Sequence, residues 1–422
     1  MGKGSFMSKL AYLGGEPITE NLLSSSELIS CAELERKYLV EAYKSGKWDD
    51  WPGEDSMAAR FQREWAQFNN SDFCALISNG THGLQLALES LDIGVGDEVI
   101  VPGLTWQATA SVVCDVNAVP VLVDIDPKTL CIDPDKVEQA ITTRTRAIIP
   151  VHLYHRMADM DRLLEIAHDR NIYLIEDCAH SHGSIWGDKN VGIMGVFGSF
   201  SFQRSKLMNS GEGGALLMQD EQLYWKVVSQ RSCGREYNNY RVHSGNYRIT
   251  SFQAAILRGQ LAAHYQNADT IDRMGKILDD AVAQAPGVEP LTRHEKNNRQ
   301  CSYAFVFLYD PAAFDGLHNS TFRAALSAEL GQYFDTTYTP LSHSEVYYPH
   351  TKKRHQLNAE YVKAINPSGW DLPVADDVWQ NRAVLAQWTI FGCLEQRAHL
   401  LTDAIVKIYE NRHQLLNKQA KK

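Results

Sequence analysis

A chain of 422 residues, 44% hydrophobic and 22% charged, has ordinary globular composition and enough length to bury a sizeable core in two or three units. Its 41 basic and 51 acidic residues leave a net charge of -10, which excludes a general binder of nucleic acid or anionic membranes built on basic clusters. No run reaches the about 18–20 consecutive apolar residues that a membrane span needs.

The chain opens MGKGSFMSKLAYLGGEPI, which has no apolar stretch of the secretory kind, and Phe6 stands where a myristoylation motif wants Ser or Thr. Residues 1–54 are expected to form a helical, connective arm. Within Arg60–Phe68, Phe61, Trp65 and Phe68 share one helical face. A short apolar strand is expected over 72–77, followed by a turn at Ser78-Asn79-Gly80-Thr81 and a helix through Leu84, Leu86, Leu88 and Leu91.

The same unit repeats downstream. EVIV (98–101), PVLVD (120–124), AIIPV (147–151) and YLIE (173–176) read as strands. Their unbroken apolar character suits a sheet covered on both faces. Helical runs are expected from Trp106 towards Val116 and over 157–170. Beyond about Pro290 the pattern changes to an alternating strand at 303–309, a helix at 321–330, a strand at 388–391 and an amphipathic stretch over 395–417 with a basic, solvated tail. The expected class is α/β, a three-layer domain over 55–285 with a mainly parallel sheet, followed by a smaller α+β domain over 286–422. The eight cysteines form no C-x-x-C pair, which indicates free thiols and a cytosolic setting, with neither a disulfide framework nor a zinc site.

Four segments carry chemistry. In FSFQRSKLMNSGEGG (200–214), Lys206 sits between an aromatic strand and a glycine-rich turn. A lysine amine attacks carbonyls when its surroundings lower its pKa, and the neighbouring Ser201 is a donor to an anion. In EDCAHSHG (176–183), Asp177 ends an apolar strand, where an open α/β sheet places its ligands. There it serves equally as a helix cap or as the acid that holds a protonated ring nitrogen. His180 and His182 lie two apart rather than at the four-residue spacing of a helical metal pair. NGTHG (79–83), between strand and helix, offers amides to a phosphate, and Trp106 offers a face to a flat ring or simply packs in the core. A phosphate turn, an aromatic, an acid and a Schiff-base lysine, in that order, are the parts pyridoxal phosphate needs.

NGTHGLQLAL, GDEVIVPGLTW, VHLYHRMADMD, EDCAHSHGSIWG, FSFQRSKLMNSGEGGAL and NYRITSFQAAILRGQL resemble, in order and spacing, the DegT–DnrJ–StrS family of sugar and cyclitol aminotransferases. The resemblance implies the aspartate-aminotransferase fold (fold type I), pyridoxal 5′-phosphate as cofactor and a ping-pong reaction that takes the amino group of glutamine or glutamate to a keto-sugar or keto-cyclitol. It implies Lys206 as the lysine that binds the cofactor and Asp177 on the pyridine nitrogen. His180 falls near the phenolic oxygen and Trp106 on the ring. Gly80, Thr81, His82 and Ser201 fall at the phosphate, with Asn246 supplied by the second subunit of a homodimer. The chain departs from the family at His155, where Gly is common, and at Asn79, where Ser is common.

Within the family, EDCAHSHGSIW is most similar to the glutamine-dependent aminotransferases of scyllo-inosose type. The lysine stretch is equally similar to 3-amino-5-hydroxybenzoate synthase, a dehydratase. Lys206 argues against the sugar 3-dehydratases, which carry His there. A hydroxyl-rich acceptor suits Tyr338, Thr339, Ser342 and His343, which as readily form a plain polar loop. The non-enzymatic alternative is a regulator that keeps the fold and binds the cofactor.

Overall fold

The computed structural model describes residues 9–50, 55–236, 239–240 and 242–419, so Gly2, Ser5 and Phe6 and the last three residues lie outside the described residues. The central sheet holds β1 (Phe73–Ile77), β2 (Glu98–Pro102), β3 (Val119–Val123), β4 (Thr145–Ile148), β5 (Tyr173–Asp177), β6 (Phe197–Ser201) and β7 (Gly214–Met218). Their order is β1-β7-β6-β5-β4-β2-β3, and only β7 opposes the rest, pairing antiparallel with both neighbours. The sheet is therefore mainly parallel, as the run of apolar segments requires.

Both faces are covered, and the strands show it residue by residue. Ala75, Ile77, Val99 and Val101 face one apolar core with α3 (Gly80–Ser90) and α4 (Ala108–Asp115). Cys74, Leu76 and Ile100 point the other way, into a core with α1 (Ala32–Ser45), α2 (Met57–Phe68), Met160–Arg170 and the first turns of Ser251–Ala283. Phe61, Trp65 and Phe68 of α2 are all buried there, as their spacing indicates. The turn after β1 is tighter than its sequence suggests. Asn79 caps α3 by accepting from the His82 N–H at 2.8 Å, so Gly80 and Thr81 already belong to the helix.

The 33-residue helix Ser251–Ala283 starts at a capping box formed by Thr250 and Gln253. Its first half packs under the central sheet. Its second half, through Ile271, Met274 and Leu278, enters a separate core with Phe305, Phe307 and Phe322. The strand Ala304–Tyr309 is buried at all six positions because its alternate residues face these two cores, so it does not show one wet face.

The strand expected over Trp388–Phe391 is not there. The strand is Ala383–Gln387, paired with 304–308, and Trp388–Gly392 is a 3-10 turn. The ladder ends at Gln387, and the tight turn then drives both Ile390 and Phe391 into the core. The stretch over 395–417 forms the helices His399–Glu410 and Arg412–Gln419. All eight cysteines are free. No helix among the described residues is long and apolar enough to cross a membrane.

Candidate active site

A cavity of about 510 Å³ opens at the C-terminal ends of the parallel strands, where such sheets bind ligands. Each wall follows from a strand ending. After β1 the chain enters α3, whose first N–H groups have no acceptor within the helix and so face the cavity as donors. Gly80 is required by closeness: a Cβ there would stand 2.9 Å from Ser201 Cβ at the end of β6. Gly80, Thr81 and Ser201 thus converge at a helix N-terminus, the arrangement that favours a phosphate.

Lys206 lies on the loop beyond β6. The loop is closed by Phe202 N–H to Gly213 O at 2.8 Å, Arg204 N–H to Gly211 O at 2.9 Å and Lys206 N–H to Gln203 O at 2.9 Å. Gly211 takes φ 82°, a backbone conformation that a side chain would strain. The Lys206 side chain is only 9% exposed, and its Nζ sits 4.3 Å from the centre of the Tyr303 ring. Burial pushes its amine down to about 8, against the opposing pull of the Asp177 charge. That is the environment of a nucleophilic lysine.

Asp177 ends β5. Its two oxygens accept from Ala179 N–H at 3.1 Å and Thr109 Oγ1 at 3.0 Å. Burial pushes its carboxyl pKa up, and these two bonds and the Lys206 charge only partly offset that. A carboxylate so placed gains from a cation in the cavity. The adjacent Glu176 is a structural clamp whose oxygens take the N–H groups of Gly192, Met194 and Gly195, each at 2.8 Å, and lie 3.2 Å from His152 Nε2.

His180 stacks on Tyr303 at 3.9 Å between ring centres, with the planes 9° apart. Its Nδ1 accepts from Tyr154 N–H at 3.2 Å, and burial holds the ring neutral. Trp106 sits at the mouth, half-exposed, 5.7 Å from the Tyr338 ring.

Seven of the nine residues expected at the cofactor line this cavity: Gly80, Thr81, Trp106, Asp177, His180, Ser201 and Lys206. His82 and Asn246 do not. The His82 ring turns away to Ser78 Oγ, 2.7 Å from its Nδ1, and packs on Tyr247. Asn246 bridges to Ser232. His182 is also outside, in an aromatic box with Trp65, Phe200 and Phe202, its Nε2 bonded to Ser201 O at 2.8 Å. His155 is a buried core residue that accepts from Val306 N–H at 3.3 Å, and it does not line the cavity.

Tyr303, outside every motif, lines the cavity, and Tyr154 braces it from behind. Tyr303 contacts both Lys206 and His180. Tyr154, at φ 56°, accepts at its carbonyl from Tyr303 N–H at 3.0 Å and at its hydroxyl from Tyr338 N–H at 2.7 Å. A left-handed non-glycine residue is the one signal that marks it, and only coordinates reveal that.

The model of the DegT/DnrJ/EryC1/StrS aminotransferase family matches residues 30–384. The chain belongs to that family. This aminotransferase is 35% identical to the L-glutamine:2-deoxy-scyllo-inosose aminotransferase of Micromonospora echinospora, covering 97% of this chain and 100% of that one. To the protein of the same name from Streptomyces kanamyceticus it is 36% identical, covering 89% and 91%. Among solved structures it is similar to 3-amino-5-hydroxybenzoic acid synthase, with a TM-score of 0.77 and 29% identity over 90% of this chain and 97% of that one. The aminotransferase is a fold-type-I enzyme that uses pyridoxal 5′-phosphate. The cavity fits that cofactor on its own chemistry: helix-terminal donors for a phosphate, a buried acid in need of a cation, and a buried amine near its titration point.

Proposed function

We propose that this enzyme moves the amino group of L-glutamine or L-glutamate to a keto-cyclitol or keto-sugar, with Lys206 and Asp177 as its catalytic residues. The observation that carries the assignment of roles is the meeting of Lys206, Asp177 and the α3 N-terminus in one cavity. The relatives' names support glutamine and an inosose as the pair of substrates.

When bound, pyridoxal phosphate supplies an electron sink for charge developing at the donor's α-carbon and carries the amino group between the two substrates. Gly80, Thr81 and Ser201 would hold its phosphate, Trp106 would cover its ring and Asp177 would face its ring nitrogen. Asp177 would favour the protonated form of that nitrogen, because a buried carboxylate without a partner is costly. Lys206 would hold the cofactor through its Nζ, and its free amine would take the proton from the donor's α-carbon and return one to the carbon that was the acceptor's carbonyl. With its amine near 8, roughly a tenth of Lys206 is free base at neutral pH, against roughly one part in three thousand for an ordinary lysine. The neutral His180 offers a hydrogen bond without adding a charge that would compete with the ring nitrogen's.

A homodimer follows as part of this reading, with Asn246 serving the partner subunit's phosphate site. Its position outside its own cavity supports that role. Mixing Asn246→Ala with Lys206→Ala subunits should restore some activity, and failure in a verified mixed dimer would place Asn246 elsewhere. The dehydratase reading rests on the 29% likeness to 3-amino-5-hydroxybenzoic acid synthase, and the closer identity to the glutamine enzymes favours amino transfer.

The test is spectroscopic. Glutamine should bleach the visible absorbance of the holoenzyme, and 2-deoxy-scyllo-inosose should restore it. No response to glutamine or glutamate, with release of an aromatic product from an aminodehydroshikimate-type substrate, would favour the dehydratase.

A further inference from the structure

A second chamber of about 410 Å³ adjoins the first, and Thr105, Trp106 and Tyr338 line both. Its other wall is the 337–346 segment with Trp379. Three features distinguish it. Thr337 is buried, only 6% exposed, and its hydroxyl has no partner among the described residues. His343 lies 3.2 Å from Asp376 through Nε2 and stacks on the Trp379 indole, 6.4 Å between centres and 19° apart in plane. Glu345 is exposed to the chamber and has no ion-pair partner among the described residues.

These groups define a ligand by its chemistry. Asp376 holds the His343 ring at Nε2, which leaves Nδ1 to meet a hydroxyl. The Glu345 carboxylate accepts from hydroxyls, and an indole face suits the C–H side of a saturated ring. Among the described residues neither Lys nor Arg lines the chamber, whereas two carboxylates, Glu345 in the wall and Asp376 behind His343, stand at it. A diphosphate would meet repulsion from both.

We propose that this chamber receives the amino acceptor, and that Glu345, Thr337 and the His343–Asp376 pair select a free, uncharged, polyhydroxylated ring ketone over a keto-sugar carried on a nucleoside diphosphate. The proposal rests on the amino-transfer reading above and narrows its acceptor. In the reaction the donor's Cα–N bond breaks and a C–N bond forms at the ring ketone. The donor carbon is oxidised to a ketone as the ring carbon is reduced to an amine-bearing C–H. The ring's oxygen is released as water and a water oxygen enters the oxo acid, so no outside oxidant or reductant is needed.

The experiment is steady-state kinetics with glutamine as donor, using 2-deoxy-scyllo-inosose and a thymidine-diphosphate-linked 4-keto-6-deoxyhexose. The wild-type kcat/KM should favour the cyclitol by roughly 100-fold or more. Glu345→Lys should raise KM for the cyclitol about tenfold, change kcat less, and narrow the preference. Thr337→Val should raise KM less, and it guards against a folding defect in the charged variant. Equal or faster turnover of the nucleotide-linked sugar, turnover of neither ketone, or KM unchanged in both variants would overturn the proposal. A holoenzyme that glutamine fails to bleach instead overturns the amino-transfer reading, so the two failures are distinguishable.

Discussion

Replacing Asp177 with Asn isolates the electrostatic part of the account, because the substitution keeps shape and removes charge. The structure indicates that the variant folds. The amide oxygen keeps the Ala179 N–H, and the new NH₂ donates to the Thr109 hydroxyl. That hydroxyl then turns its own hydrogen to Thr105 Oγ1, 3.1 Å away. What is lost is the buried negative charge proposed to face the ring nitrogen. Removal of one such preorganised group costs ~10²–10³-fold in turnover, roughly 2.7–4 kcal/mol at the transition state. A second consequence separates this loss from simple damage. Asp177 raises the Lys206 amine, so its removal lets that amine fall below about 8. The free amine is the attacking form, so attachment of pyridoxal phosphate to the cofactor-free protein should rise with pH and level off near 8 in the wild type. In the variant it should level off at lower pH. The assay is stopped-flow absorbance across a pH series, paired with turnover at saturating substrates. Near-normal turnover with an unshifted profile would refute the reasoning and leave Asp177 a structural cap.

Other consequences follow from single contacts. Gly80→Ala would place a methyl 2.9 Å from Ser201 Cβ, an overpacking that costs about 1–3 kcal/mol; cofactor affinity should fall roughly tenfold, read by equilibrium titration. Because burial lowers Lys206 from 10.5 to about 8, the unfolded chain binds the extra proton between those values. The cofactor-free protein should therefore gain stability as pH rises through that window, on the order of 3 kcal/mol. Lys206→Met should lose that slope in denaturant titrations. Lys407 Nζ is buried 2.8 Å from Glu329, which also accepts from the Ala11 and Ile18 N–H groups. Lys407→Met leaves that acid unpaired and should cost about 3–5 kcal/mol in global unfolding, with a smaller effect on activity.

The strands of the central sheet were legible because a parallel sheet covered on both faces forces short, continuous apolar runs, as in EVIV and YLIE. Most of the cavity was legible for a related reason: Gly80, Trp106, Asp177 and Ser201 follow directly from strand ends, so order along the chain maps onto one sheet edge. Tyr303 and Tyr154 were not. Tyr303 enters the cavity, and Tyr154 supports it from behind, through long-range packing and backbone bonds that leave no local pattern. His82 illustrates the limit of a motif, because its place in NGTHG does not say that the ring turns to Ser78. Trp388–Phe391 failed for another reason: an apolar run of four residues is compatible with a strand or a 3-10 turn, and the ladder's end at Gln387 decides between them.

The most direct measurement is chemical. Holoenzyme reduced with borohydride, digested and peptide-mapped should carry the cofactor on Lys206 alone, the buried lysine in the cavity with Asp177. Label on any other lysine, with Lys206 unmodified, would contradict the account.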